Sequence, residues 1–204
     1  MTSLRSIGGG VASPDDDLPT SQGDPSLGFV AFGRVYGMTG VGSRVTLREM
    51  GAADADLIAA WSCDADFCRA AGWSIRPVEQ HRAFQRRLIA DPPADLLRLA
   101  AVQDGHLVGY VDLHGSDPDR RELGFLVGPR EVWGQGLGMA AATAGLKYGF
   151  QELGLKKIWA EAMDANRASI RILQRLGMTE TGWGDVATHL GQPSRYRQFA
   201  IAAE

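Results

Sequence analysis

The stretch Glu122-Leu123-Gly124-Phe125-Leu126-Val127-Gly128-Pro129-Arg130-Glu131-Val132-Trp133-Gly134-Gln135-Gly136-Leu137-Gly138-Met139 decides how this chain is read. Its opening residues carry a strand pattern, and Gly124 and Gly128 weaken regular pairing, so the strand is free to bulge or splay. Its closing residues set Gly134, Gly136 and Gly138 directly before a long alanine-rich helical pattern. Glycine frees φ to go positive and puts no Cβ between backbone and anion. The amides of the loop and of the first helical turn then point at one set of oxygens, helped by the helix dipole. The segment predicts a socket for the pyrophosphate of a phosphate-bearing cofactor.

Two cofactor classes compete for such a socket. Gly136-Leu137-Gly138-Met139-Ala140-Ala141 satisfies the dinucleotide fingerprint G-x-G-x-x-A, with Glu161 near the position of the ribose-binding acid. That fingerprint belongs immediately after its strand, whereas here Gly128 to Val132 and more intervene. It also sits two-thirds of the way along the chain, with too little sequence after it for the rest of a doubly wound domain. A nucleotide-binding oxidoreductase therefore fits poorly.

The longer pattern is more specific. The opening stretch, followed by Tyr148-Gly149-Phe150, Leu153-Gly154-Leu155, Asn166-Arg167-Ala168-Ser169 and Leu176-Gly177-Met178, resembles the GNAT N-acetyltransferases from about Arg44 to Ile201. Trp133 before Gly-x-Gly-x-Gly looks most like the branch that includes the ribosomal-protein N-terminal acetyltransferases. The resemblance implies acetyl-CoA as co-substrate and no metal. It also implies phosphate donors from the amides of Trp133, Gly134, Gln135, Gly136, Leu137, Gly138 and Met139. Backbone groups of Phe125, Leu126 and Val127 pair with the pantetheine in this reading, and the Val127 amide polarises the thioester carbonyl. Asn166 and Ser169 are expected beside the cofactor.

Composition bounds the remainder. With 204 residues and 45% hydrophobic content, the chain holds one well-buried domain plus a tail. A formal net charge of -3, with both signs scattered, leaves no basic stripe for a nucleic acid and favours a cationic or neutral small substrate. Cys63 and Cys68 lack a second ligand pair at zinc spacing, and His106, His114 and His189 are scattered; both thiols are expected reduced and buried or half-buried. No apolar run approaches membrane-spanning length and no signal pattern opens the chain, which points to a cytoplasmic protein without a membrane partner. Residues 1–43, rich in Gly, Ser, Asp and Pro, read as a disordered tail or a mis-assigned start at Met38; Phe29, Val30, Phe32, Val35 and Tyr36 are the part able to dock. Residues 44–204 form the domain.

The elements follow from periodicity. A short strand at Val45 to Met50 precedes a helix from Asp54 to Trp61 with Leu57, Ile58 and Trp61 on one face. A second helix starts with Pro77 in its first position and ends at Asp91 before Pro92-Pro93. Strands at Leu96 to Val102 and His106 to Leu113 flank an Asp104-Gly105 hairpin turn. After the strand Glu122 to Val127 comes a helix from Gly136 to Leu153, with Leu137, Ala141, Ala144 and Tyr148 inward and Gly154 as its stop. Then follow a strand at Lys157 to Met163, a helix capped by Asp164 or Asn166 that ends at Gly177, and strands near Met178 to Trp183 and Arg195 to Ala202. This is an α/β (α+β) architecture with a mixed, mostly antiparallel sheet in the order βααβββαβαββ, which is also the order of the GNAT fold.

Acyl transfer to an amine needs the amine neutral. A lysine with pKa about 10.4 needs a base more than an α-amine near 7.7–8.0. Glu161, the lone carboxylate of its strand, is the first candidate, acting directly or through a water. As a structural residue it would face Lys156, Arg171 or solvent. Glu122, at the start of the splayed strand, is the runner-up base or a solvated strand-end residue. The tyrosine that many family members place seven residues after the asparagine is Leu173 here, so Ser169, a water or Tyr196 supplies the leaving-group proton, or nothing does. Arg171 and Arg175 reach a CoA phosphate or merely solvate their helix. Trp61, Asp64, Asp66, Phe67 and Trp73 are either an acceptor site for a cationic amine or core and solvated surface. The reading that results is an acetyl-CoA-dependent N-acetyltransferase acting on a primary amine, either a protein N-terminus or a small molecule. The alternative is a non-catalytic acetyl-CoA-binding module. Some family members are homodimers, and no feature of this sequence decides its oligomeric state.

Overall fold

The computed structural model describes residues 45–203, so the expectations for residues 1–43 fall outside the described residues. The elements run β1 (Thr46–Glu49), α1 (Ala52–Ala60), α2 (Ala65–Ala71), α3 (Val78–Ala90), β2 (Leu96–Gln103), β3 (His106–His114) and β4 (Arg120–Val127). They continue with α4 (Leu137–Lys147), β5 (Lys157–Met163), α5 (Arg167–Arg175), β6 (Thr179–His189) and β7 (Gln192–Ala202). The strands form one sheet in the order β1-β2-β3-β4-β5-β7-β6, antiparallel except at β4–β5.

Alternation along the central strands divides the molecule into two layers of helices. Val111, Leu123 and Phe125 face α4 and α5 and join Ala141, Ile158, Ile170 and Leu173 in the main core. Their neighbours Tyr110 and Leu126 point the other way and pack with Ile58 of α1, Trp61 and Phe67 of α2. On the α4 side the approach is close. A Cβ on Gly145 would lie 2.7 Å from Val111 and 2.8 Å from Leu123, so only glycine lets that helix settle on β3 and β4.

The local signals work as their chemistry suggests. Asp104 (φ 49°) and Gly105 (φ 82°) turn the β2–β3 hairpin, and Asn166 caps α5 by accepting from the Ser169 amide at 3.2 Å. α4 runs on into a π turn, Leu153 N–H bonding Tyr148 O at 3.2 Å, before Gly154 stops it.

Four expectations need correction. A third short helix, α2, follows α1, because Asp64 caps it through the Asp66 and Phe67 amides at 2.9 and 3.2 Å. Leu57 is 52% exposed, off the buried face of Ile58 and Trp61. Pro77 is the cap of α3 rather than its first helical residue, with ψ at 142°. The inner stripe of α4 is Leu137, Ala141, Ala142, Gly145 and Leu146, with Ala144 and Tyr148 only partly buried. In addition, β6 and β7 extend well past Trp183 and before Arg195 as one long hairpin, turned at Leu190 and Gly191. Of the thiols, Cys68 is buried but Cys63 is exposed.

Candidate active site

The site starts where the sheet opens. β4 pairs with β5 only from Arg120 to Glu122, opposite Lys157 to Trp159, whereas its ladder with β3 continues to Val127. The expected splay is therefore present. The direction of the backbone follows from one bond: Gly128 N–H donates to Val108 O at 3.1 Å, with Val127 opposite Gly109. Alternate residues of an antiparallel strand serve the same neighbour. The peptide groups of Val127 and Phe125 thus point away from β3 and into the opening beside β5. The Val127 carbonyl accepts from the Trp133 indole Nε1 at 2.8 Å, and that ring packs on Phe67 with centroids 5.8 Å apart. Trp133 therefore ties the glycine loop to the mouth of the opening through its side chain, a role beyond the backbone donor expected of it.

The three loop glycines serve two purposes. Gly134 and Gly136 hold φ at 79° and 82°, and a Cβ on either would meet nothing within 4 Å. Conformation, not space, requires glycine there. Gly138 is inside α4, where a Cβ would lie 3.0 Å from Ile172 of α5, so it sets the approach of the two helices. With Gly136 as the cap of α4, the amides of Leu137, Gly138 and Met139 have no partner inside the helix and face outward at its positive end.

These amides open on a cavity of about 670 Å³ between the loop, β4 and α5. Of the expected cofactor residues, Phe125, Val127, Trp133, Gly134, Gly136, Leu137, Gly138, Met139 and Asn166 line it. Leu126 does not, because its side chain packs with Trp61 and Phe67. Gln135 is turned to the Glu131 carbonyl at 3.4 Å. Arg171 and Arg175 stand on the α5 wall, and His189 and Leu190 reach it from the β6–β7 turn. Nothing in the sequence announced the hairpin tip here, since its place depends on the length of both strands.

The acid–base candidates lie off the cavity wall. Glu161, 1% exposed, accepts from Gln198 Nε2 at 2.7 Å and sits under Gly184, where a Cβ would lie 2.7 Å from its Oε1. It is therefore partnered by Gln198 of β7, and its burial keeps it from solvent. By strand alternation it shares the sheet face of Trp159, opposite α5, and Glu122, buried on β4, pairs in register with Trp159. The two carboxylates flank the opening on one face. Ser169 is fully buried, and its Oγ has no hydrogen-bond partner among the described residues. Leu173 is core, and Tyr196 is buried on β7 opposite Met163.

The aromatic and acidic residues near α2 make contacts with one another and with nearby arginines. Trp61, Phe67 and Trp73 stack edge to face, with centroids 5.9 and 5.3 Å apart. The Arg130 guanidinium, 2.5 Å from Asp64, holds that carboxyl below its usual range, and Asp66 pairs with Arg69. Behind them Arg98 makes a bidentate pair with buried Asp112, both bonds 2.7 Å, and lies 4.0 Å over the Tyr110 ring. Burial pushes the Tyr110 hydroxyl up to about 12, which removes it as an acid or base near neutral pH.

Among the described residues no cluster of His, Cys, Asp and Glu could hold a metal ion, and no helix is long and apolar enough to cross a membrane. The structure thus places an opened strand pair beside an outward-facing helix N-terminus, with one cavity joining them. Residues 44–179 match the family described as "Acetyltransferase (GNAT) domain", and the chain belongs to that family. It is 41% identical over 61 residues to FsC-acetyl coenzyme A-N(2)-transacetylase of Aspergillus fumigatus, covering 30% of this chain and 26% of that protein. The chain spans between 26% and 50% of the length of curated relatives it matches. Among solved structures, a GNAT-family acetyltransferase from Bacillus anthracis superposes with a TM-score of 0.66 at 24% identity, over 79% of this chain and 96% of that one. The ribosomal L7/L12 α-N-protein acetyltransferase RimL, solved with coenzyme A, gives 0.66 at 15% identity, over 80% and 96%. At these identities the two structures speak for the fold.

Proposed function

We propose that this protein transfers an acetyl group from acetyl-CoA to a primary amine, either a protein N-terminal α-amine or a small-molecule amine. The observation that carries the reading is the opened β4–β5 pair, with Val127 and Phe125 peptide groups turned into it, an amide socket at one end and buried Glu161 across from it. These residues fit the donor. The socket suits a pyrophosphate, and the strand edge suits the amides of an extended pantetheine. Acetyl-CoA supplies the acetyl group activated as a thioester.

The chain's own groups divide the work. Val127 N–H polarises the carbonyl that is attacked. Glu161 takes a proton from the amine, directly or through a water, as the N–C bond forms and the C–S bond breaks. The departing sulfur has a thiol pKa of about 8.5 and needs little help, so a water can supply its proton; Ser169, fully buried and not on the cavity wall, is the less accessible alternative. Leu173, packed in the core, supplies none.

Calorimetry and turnover test this. The wild type binds acetyl-CoA with micromolar affinity, and Gly136→Trp, which fills the socket and forbids its φ of 82°, loses that binding. Free CoA thiol then appears when amines are screened. A folded wild type that binds no acetyl-CoA overturns the reading. Binding without thiol release for any amine leaves the acetyl-CoA-binding module in its place.

A further inference from the structure

Glu161 is held from the far side of the sheet. Its register partner on β7 is Gln198, and Gln198 pairs in turn with Gly182 of β6, so the three residues form one row across the strands. Within that row Gln198 Nε2 donates to Glu161 Oε1 at 2.7 Å. A carboxylate only accepts, so the amide has one useful orientation, its NH2 toward Glu161 and its oxygen toward β6.

The edge strand is shaped around this bond. Register shifts at Glu180/Gly182 and Trp183/Val186 bracket Gly182-Trp183-Gly184, and such bulges re-aim a strand where regular pairing would carry it past. A Cβ on Gly184 would lie 2.7 Å from Glu161 Oε1, 3.2 Å from Tyr196 Cβ and 3.3 Å from Gln198 Nε2. A Cβ on Gly182 would lie 3.8 Å from Gln198 Oε1. The backbone of β6 therefore closes on both partners, and glycine at 184 is what lets it come so near. The bulge adds little to the core, since Trp183 between the two glycines is 51% exposed. Its contacts go to the carboxylate and the amide instead.

We infer that Gln198 is a positioning residue for acetyl transfer: its amide, braced by the bulge at Gly182 and Gly184, fixes the side chain of Glu161 for the incoming amine. The inference rests on Glu161 acting as the base, as proposed above. Gln198 acts through Glu161, by holding one carboxylate oxygen and so aiming the group. A glutamate released from such a bond has three torsions to explore, and roughly 1 Å of misplacement is enough to slow a reaction about 10²-fold.

A double-mutant cycle on the full chain decides it, read as CoA thiol released from acetyl-CoA with putrescine and a short free-amine peptide as probes. Q198M keeps the length of the side chain without the donor; kcat falls about 10–100-fold while acetyl-CoA affinity and the melting temperature hold. E161Q/Q198M is no slower than E161Q, because with the base gone nothing remains to aim. G184A presses a methyl group on the same oxygen from β6 and lowers kcat with Gln198 in place, which tests the role independently of how Q198M folds. Wild-type kcat in Q198M or in G184A, or a double variant slowed by the product of the two single losses, overturns the role of Gln198 and leaves Glu161 as the base. Wild-type turnover by E161Q removes the base and this role together. Absence of thiol release from the wild type with both probes overturns this role, and acetyl-CoA calorimetry then tells whether the donor reading survives.

Discussion

The two faces of the sheet are built on different principles. In the proposed reading the α4–α5 face meets acetyl-CoA with backbone: loop amides, the end of a helix, and strand peptides aimed into an opening, beside close helix approaches set by Gly138 and Gly145. The opposite face is held by side chains, with stacked Trp61, Phe67 and Trp73 and the bidentate Arg98–Asp112 pair beneath Tyr110. Backbone recognition suits a partner that never varies. Side chains are where an acceptor preference can be changed without disturbing the carrier. Glu161 and Glu122 lie on the second face, beside the opening that both faces share.

The comparison can be broken by substitutions that separate chemistry, stability and binding. Glu161→Gln keeps the size of the side chain and removes its basicity; kcat falls about 10²–10⁴-fold while acetyl-CoA affinity stays level. Unchanged turnover would make Glu161 a purely structural partner of Gln198. Asp112→Ala strands the Arg98 charge and destabilises the fold by about 3–5 kcal/mol in urea unfolding. If it instead left stability alone and weakened CoA binding, the two faces would not be independent.

A smaller effect carries a pH signature. Burial disfavours the Asp54 carboxylate, but bonds from Arg48 at 2.6 and 2.8 Å and from the Gly51 amide at 2.7 Å outweigh this and lower its pKa. Its folded value lies below the unfolded one, so the stabilisation is present above an unfolded pKa of about 3.9 and is lost as pH falls through the folded value. Asp54→Asn costs about 1.5–3 kcal/mol at pH 7, and the difference from wild type shrinks toward zero on acidification. Thermal melts across pH 2.5–7, about the span of that titration, read it directly. Smallest is Trp133→Phe, which keeps the ring on Phe67 but removes the indole bond to Val127 O. It weakens acetyl-CoA binding by about 1 kcal/mol, roughly fivefold, in calorimetry. A larger loss in stability than in binding would make this bond part of the core rather than of the opening.

How far each face was legible follows from this contrast. The glycine loop, the Asp104–Gly105 turn, β5 and the Asn166 cap were readable because each depends on residues within a few positions of one another. The splay of β4 was readable too, from Gly124 and Gly128. Contacts across long separations were not. Asp64 read as an acceptor-site or solvated acid, and nothing near it in sequence pointed to Arg130, which reaches it from 66 residues away. Asp112 and Arg98 are ordinary strand residues until β2 and β3 pair. The tip of the β6–β7 hairpin reached the cavity without any local signal.

By itself the sequence determined the order of the strands, the glycine loop before α4 and the family, because backbone conformation at glycine and caps is a local property. The tertiary structure alone decided which acids are neutralised, which face Glu161 occupies and that Arg171 and Arg175 share a cavity with the loop. Burial and charge pairing depend on which distant segments the sheet brings together, and periodicity cannot encode that.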